Sequence, residues 1–128
     1  MSTSLARPAV LVADDEPLTR WALSRSLESP HLDIALAGTR DEVCDLLDTR
    51  DFQVIVLANE LGHHSMADVL SSLSRDGRAR GLVILYDGEQ AEEYARAFPL
   101  AVLLQKPFGL DAVTSAVEGF LEPRSEAV

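Results

Sequence analysis

Several residue types are scarce in this chain, and each scarcity narrows what the protein can be. There is one cysteine, Cys44, so no disulfide can form within the chain, which suits a reducing compartment. No apolar run approaches the ~20 residues that a membrane-spanning helix needs. Residues 1–7 also lack the apolar segment of a signal peptide. We therefore expect a soluble, cytoplasmic protein with no membrane contact.

Basic residues are also few. The chain has 11 basic and 21 acidic residues, for a formal charge of −10. An acidic surface repels the phosphate backbone of nucleic acids, so a nucleic-acid partner is not expected. Lys106 is the single lysine. Because an ammonium on a flexible stem differs in geometry from a guanidinium, position 106 is a candidate functional residue.

The apolar residues that are present occur in five short runs separated by longer mixed segments. The runs are nearly continuous rather than alternating with polar residues, which is typical of strands buried on both faces of a parallel sheet. The predicted strands are Ala9–Ala13, Leu32–Ala37, Gln53–Leu57, Leu82–Leu85 and Ala101–Leu104.

The segments between these runs predict helices. On the first helix, Leu18, Trp21, Ala22 and Leu27 lie at helical spacing, and we expect Trp21 to be a core or edge anchor. The predicted helices are Pro17–Glu28, one opened by a capping box at Thr39–Glu42, one capped by Ser65, Gly88–Ala97 and Leu110–Leu121. The fold class is therefore α/β, a (βα)5 doubly wound parallel sheet in a three-layer sandwich. One domain fills residues 1–128, with an ordered core at about 8–122 and a tail at 123–128.

Charged and polar residues follow the ends of four predicted strands. Sites in open parallel sheets form outside the carboxyl ends of the strands. Asp14 and Asp15 follow the first strand, and Ala58 follows the third. Tyr86 follows the fourth strand, and Lys106 follows the fifth. We expect these five residues to surround one opening, which we call the mouth.

The chain resembles the receiver domain of two-component response regulators, the CheY-like family, over almost its full length. The resemblance is carried by Asp14-Asp15, by Lys106-Pro107-Phe108 and by the five βα units. It implies a flavodoxin-like sandwich, a Mg²⁺ ion held by the acidic pair, and an aspartate ending the third strand that accepts a phosphoryl group from a histidine kinase. It further implies a Ser or Thr ending the fourth strand, an aromatic switch residue shortly before the lysine, and a cis Lys106-Pro107 peptide.

Several positions depart from the family pattern. Ala58 stands at the phosphoacceptor position, Gly62 replaces a proline, Tyr86 stands at the Ser/Thr position, and Leu103 stands near the switch position. A methyl group cannot accept a phosphoryl group. Losing one carboxylate also removes a ligand for Mg²⁺, so we expect a weak or absent metal site and no other cofactor.

The departures lead to three structural expectations. Lys106 should pair directly with Asp14 and Asp15, whose charges would otherwise repel each other. The ring of Tyr86 should fill the space vacated at Ala58, with its hydroxyl bonded to a carboxylate or a backbone group. Leu103 should stay packed, leaving a switch that is frozen in one conformation.

We interpret the chain as a stand-alone pseudo-receiver in phosphorelay signalling, not an enzyme, that binds a signalling protein without being phosphorylated. We expect a monomer or a weak homodimer. In the family, a face made by the fourth helix, fifth strand and fifth helix often meets partners, which points to Tyr94, Phe98 and Phe108.

Two other functions stay open. The first is phosphorylation at Asp14, Asp15 or Asp87 in the same mouth. The second is small-ligand binding on a flavodoxin-like fold, although the glycine-rich loop that would hold phosphate is missing. The adjacent His63 and His64 fit a solvated loop better than a metal site.

Overall fold

The computed structural model describes residues 7–77 and 81–121. The strands are β1 (Ala9–Ala13), β2 (Asp33–Ala37), β3 (Val54–Ala58), β4 (Glu60–Leu61), β5 (His64–Ser65), β6 (Gly81–Tyr86) and β7 (Val102–Gln105). The helices are α1 (Pro17–Leu27), α2 (Arg40–Thr49), α3 (Ala67–Asp76), α4 (Ala91–Ala97) and α5 (Leu110–Leu121). The predicted tail at 123–128 lies outside the described residues.

Five strands form one parallel sheet in the order β2-β1-β3-β6-β7. The prediction of a doubly wound α/β fold is confirmed, and each of these strands ends within one residue of its predicted bounds. Strands β1 and β3 are buried along their whole length, as their continuous apolar runs predict. The chain passes from β1 to β2 on one side and returns to β3 on the other, so a crevice opens between the ends of β1 and β3.

Helix α2 has the predicted N-terminal cap. The Thr39 hydroxyl accepts a hydrogen bond from the Glu42 N–H at 3.2 Å. The reciprocal half of the capping box differs, because the Glu42 carboxylate accepts from the Gly38 N–H at 2.7 Å instead of from Thr39. The cap is therefore extended by one residue towards the preceding strand.

The predicted Ser65 cap of α3 is wrong. The helix begins at Ala67 with Met66 as its cap residue, and no side chain caps it. The Ser65 hydroxyl accepts from the Ala67 N–H at 3.2 Å, so it supports the turn before the helix. Asp68 is engaged elsewhere, in a two-pronged ion pair with Arg40 at the start of α2.

The prediction that Trp21 is a core or edge anchor is also wrong. Leu18 and Trp21 keep 79% and 60% of their surface exposed, whereas Leu23 and Leu27 are buried. At 100° per residue, Leu18 and Trp21 lie on the side of α1 opposite to Leu23 and Leu27. Helix α1 therefore has two apolar sides, and only one of them packs on the sheet.

Within the described ranges, no helix has the length and apolarity to cross a bilayer.

Gly81 marks a close approach between the sheet and α5. It is buried at the start of β6, and a Cβ at this position would collide with the ring of Phe120. We expect Gly81→Ala to lower the free energy of unfolding by about 1–3 kcal/mol through overpacking. Gly119→Ala is the control, because a Cβ there meets nothing within 4 Å and alanine favours a helix. Urea unfolding that ranks the two variants equally would contradict this packing.

Candidate functional site

The ends of β1, β3 and β7 bring together four of the five predicted mouth residues, which are Asp14, Asp15, Ala58 and Lys106. A cavity of about 250 Å³ opens beside Ala58, which is 2% exposed. The cavity is lined by Asp15, Ala58, Asn59, Glu60, Gly62, His63, Asp87 and Lys106. The carboxylates outnumber the single ammonium, so the cavity as a whole is acidic.

Asp14 is the one charged residue that is buried among the residues that the structure describes. It has no exposed surface, and its Oδ1 accepts a hydrogen bond from the Glu16 N–H at 2.9 Å. Its Oδ2 lies 2.8 Å from the Lys106 Nζ, in an ion pair rather than a well-aligned hydrogen bond. An unpaired buried carboxylate would cost several kcal/mol, so this contact is the main compensation for the burial of Asp14.

Lys106 is held from both its side chain and its backbone. Its side chain is 24% exposed and also approaches the Glu16 Oε1 at 4.0 Å. Its N–H donates to the Tyr86 carbonyl at 2.7 Å, and the peptide to Pro107 is cis, as expected. Burial alone would lower the pKa of Lys106, but the carboxylate of Asp14, helped by those of Glu16 and Asp15, more than offsets this and raises the pKa above 10.5.

Asp15 has a different environment from its neighbour Asp14. Its side chain is at the surface, and its Oδ2 accepts a hydrogen bond from the Gly62 N–H at 2.8 Å. Gly62 has a φ of 62°, a left-handed conformation that glycine adopts without strain, and forms the turn of the small β4–β5 hairpin. Asp15 therefore ties the hairpin to the mouth, and does not contact Lys106 as closely as expected.

Arg20 is a mouth residue that the sequence did not reveal. Its Nη1 donates to the Asp14 carbonyl at 2.8 Å, and its guanidinium fills the space that a Cβ at Gly38 would occupy. No motif marks it, because an arginine in the first turns of a helix is ordinarily solvated. Gly38, between β2 and α2, is the only indirect signal.

The predicted position of Tyr86 is wrong. Its ring does not line the cavity beside Ala58 but packs edge-on against the ring of Tyr94, with centroids 5.8 Å apart. Its hydroxyl has no hydrogen-bond partner within residues 7–77 and 81–121, contrary to expectation. The Tyr94 hydroxyl instead accepts from the Asn59 Nδ2 at 2.9 Å. The space beside Ala58 thus stays open, and the aromatic pair links the end of β6 to α4.

The three predicted interface residues are not equally accessible. Phe98 is 7% exposed and belongs to the core, so it cannot form the centre of an exposed contact. Tyr94 and Phe108 are half-buried. Leu103 packs against the core from β7, as expected for a side chain with no polar tip.

The acidic pair of the mouth is partly engaged by other groups. Mg²⁺ requires oxygen ligands in near-octahedral geometry. Lys106 neutralises the Oδ2 of Asp14, and the Gly62 N–H occupies the Oδ2 of Asp15. No cluster of three His, Cys, Asp or Glu residues is placed to hold a metal in the described part of the chain. His63 lines the cavity from the turn of the hairpin, whereas His64 is exposed on β5.

Comparison with solved structures identifies the fold. The chain is similar to the receiver domain of the Francisella response regulator 1452, at 23% identity and a TM-score of 0.75, covering 89% of this chain and 96% of that one. A response regulator receiver protein from Sinorhizobium medicae gives 18% identity, a TM-score of 0.75 and coverage of 91% and 96%. The chemotaxis response regulator CheY4 of Vibrio cholerae gives 16% identity, a TM-score of 0.74 and coverage of 91% and 100%.

At these identities the similarity shows the fold, which is the CheY-like α/β fold of receiver domains. No protein-family model matches the chain, and no curated protein matches it either. The three-dimensional arrangement is thus much closer to receiver domains than the sequence is.

Breaking the ion pair should destabilise the fold. We expect Asp14→Asn and Lys106→Met each to lower the free energy of unfolding by about 2–4 kcal/mol, since each leaves one charge without its partner. The double variant should cost less than the sum of the two, with a coupling of roughly 1–2 kcal/mol. Urea unfolding of all four proteins at neutral pH measures this coupling. Additive losses would contradict a direct interaction.

The contribution of Lys106 to the free energy of unfolding should also disappear at high pH. The raised pKa of Lys106 means that the ion pair contributes fully below pH 10.5 and is lost as the pH rises through the raised value. The difference in unfolding free energy between the wild type and Lys106→Met should therefore shrink as the pH rises above 10.5. Urea unfolding across this range tests it, and a difference that stays constant would be the contrary result.

Proposed function

We propose that the protein is a receiver-like interaction module that acts in phosphorelay-type signalling without being phosphorylated itself. The observation that carries this proposal is the buried methyl group of Ala58 at the end of β3, beside an intact lysine and acidic pair. Phosphoryl transfer needs a nucleophilic oxygen, and alanine has none. The surrounding fold is that of receiver domains, which supports a role in the same kind of signalling.

Lys106 and the buried carboxylate of Asp14 have a structural role here, rather than a role in phosphoryl transfer. A lysine that stabilises a transferring phosphoryl group must meet its negative charge. Lys106 is instead paired with Asp14 at 2.8 Å, and the other groups that line the space beside Ala58 include the carboxylates of Asp15 and Asp87. The pair therefore stabilises the resting structure of the mouth. The positive charge of Lys106 is neutralised by Asp14 and needs no phosphoryl group.

The contacts around α4 support a single resting conformation. The Asn59 amide holds the Tyr94 hydroxyl, and Tyr94 in turn packs on Tyr86 and Phe98. These contacts fasten α4 to the ends of β3 and β6 through groups that phosphorylation would not alter. The module would then bind a partner through a surface whose conformation does not change with phosphorylation.

Phosphorylation at another carboxylate is the second candidate. Asp14 is buried and paired, and one oxygen of Asp15 accepts a backbone hydrogen bond, so neither presents a free carboxylate to a phosphodonor. Asp87 is exposed and lines the cavity beside Ala58, which makes it the carboxylate best placed to accept a phosphoryl group. A small-ligand site is less favoured, because the acidic cavity would repel phosphate-bearing ligands.

Incubation with acetyl phosphate and Mg²⁺, followed by intact-mass measurement, separates these functions. We expect the wild type to gain no phosphoryl group, since its nucleophile is absent. Asp87→Asn should behave identically to the wild type. A stable gain of one phosphoryl group by the wild type would overturn the proposal, and its loss in Asp87→Asn would identify Asp87 as the acceptor.

A further inference from the structure

The outer side of β2 carries backbone groups that pair with no other strand. β2 is the last strand on its side of the sheet and pairs only with β1. The Asp33 N–H donates to the Pro8 carbonyl at 2.9 Å, so Asp33 faces β1. Because successive residues of a strand face opposite ways, Ala35 also faces β1, whereas Ile34 and Leu36 direct their N–H and C=O groups outward. Among residues 7–77 and 81–121, no group bonds to these outward groups. We call them the β2 edge.

The β2 edge lacks the features that usually protect an exposed strand. Proteins protect such strands with charged side chains, proline or a bulge, or cover them with another element. From Ile34 to Ala37, β2 has no charged residue and no proline. The charge of Asp33 at its beginning is neutralised by Arg50 at 2.6 Å. Leu36 is 43% exposed, so an apolar side chain also faces water here. The edge is therefore open to pairing with another strand.

The opposite edge of the sheet, at β7, is better protected. Helix α4 contacts β7. The Gln105 side-chain amide at the end of the strand donates to the Gly88 carbonyl at 2.8 Å. Lys106 follows directly and adds a charged residue. Strand pairing is thus expected at β2 and not at β7.

The backbone of the β2 edge determines the class of its occupant. Its N–H and C=O groups alternate at the spacing of a strand, and another extended strand has the complementary groups at the same spacing. A helix does not, because its backbone groups bond within the helix. The exposed side chain of Leu36 adds a contact for an apolar or β-branched residue of that strand.

Helix α2, which packs beside β2, determines the charge of the occupant. Its single basic residue, Arg40, is paired with Asp68 at 2.6 Å. The N-terminal turn of α2 lies next to the end of β2, where Glu42 accepts from the Gly38 N–H. The carboxylates of the helix favour an occupant with basic side chains. They are Asp41, Glu42, Asp45 and Asp48.

The same carboxylates disfavour a second copy of the chain. An antiparallel pair of β2 strands related by a two-fold axis would place α2 of one copy beside α2 of the other, since a symmetric contact pairs like surfaces. Two acidic helices would then repel each other, and each copy carries a charge of −10. A basic segment of another protein meets no such repulsion.

We propose that the β2 edge binds an extended, basic segment of a partner protein, which adds a strand to the five-stranded sheet. The outward groups of Ile34 and Leu36 form its hydrogen bonds, and α2 lies beside its basic residues. This inference rests on the proposed role as an interaction module and gives that role a surface. It makes no use of phosphorylation, so the mass measurement described above tests the role separately from the surface.

Amide hydrogen exchange measured by NMR tests the proposal residue by residue. The probe is a synthetic peptide of about seven residues, long enough to span β2, with alternating valine and threonine between two lysines. N-methyl groups on alternate residues leave one edge able to pair and prevent self-association. We expect saturating peptide to slow exchange of the Ile34 and Leu36 amides about tenfold or more. The Ala35 amide should not change, because it already bonds to β1.

Two further peptides test backbone pairing and charge. A peptide that is N-methylated at every residue keeps the side chains but has no N–H groups to donate, and it should cause no slowing. A peptide with glutamate in place of lysine should bind more weakly than the lysine peptide, because α2 repels it.

Two variants with the same charge change decide whether β2 is the site. Leu36→Lys should weaken binding of the lysine peptide about fivefold or more, because it removes an apolar contact and puts a like charge on the edge. Leu100→Lys is the control, because Leu100 is 89% exposed but lies on a different surface, and it should bind like the wild type. Circular dichroism confirms that both variants are folded.

Several results would overturn the proposal. They are exchange of the Ile34 and Leu36 amides that is already as slow as that of Ala35 in the free protein, no slowing with the lysine peptide, or equal slowing with the fully N-methylated peptide. Equal binding of the glutamate and lysine peptides, or equal weakening by Leu36→Lys and Leu100→Lys, would also contradict it. Slowing that depends on protein concentration alone, with a dimer in analytical ultracentrifugation, would assign the edge to a second copy instead.

Discussion

The structure of the mouth depends on one interaction, the ion pair between Asp14 and Lys106. A carboxylate with no exposed surface is stable only if a positive charge compensates for its lost hydration. Lys106 supplies that charge at 2.8 Å. The contact crosses the mouth from the end of β1 to the end of β7, so it joins strands that are not neighbours in the sheet. It therefore fixes both the local electrostatics and the relative positions of the surrounding loops.

This interaction explains how a receiver-like fold can be stable with an alanine at the centre of the mouth. The buried acid and the lysine each need the other, whatever stands at position 58. With alanine at position 58, Lys106 compensates the charge of Asp14, and the Gly62 N–H donates to Asp15. The mouth keeps its shape for reasons of stability.

The sequence predicted the fold and the placement of the mouth well because both rest on strong patterns. Continuous apolar runs define buried parallel strands, and residues at their carboxyl ends must meet. The failures have a common cause. Leu18 and Trp21 have helical spacing, but spacing alone cannot distinguish a core face from an exposed one. Tyr86 turned towards Tyr94 and Arg20 reached back to Asp14, and both depend on long-range packing that no local pattern encodes.

The central claim is that the ion pair between Asp14 and Lys106 holds the mouth in one conformation. A comparison of amide NMR spectra tests this claim most directly. Uniformly ¹⁵N-labelled protein is measured alone and again with Mg²⁺ and beryllofluoride, an analogue of the phosphoryl group. The account predicts no change in the chemical shifts of Ala58, Tyr86 or the α4 amides. Saturable shifts that extend from the end of β3 into α4 would contradict it.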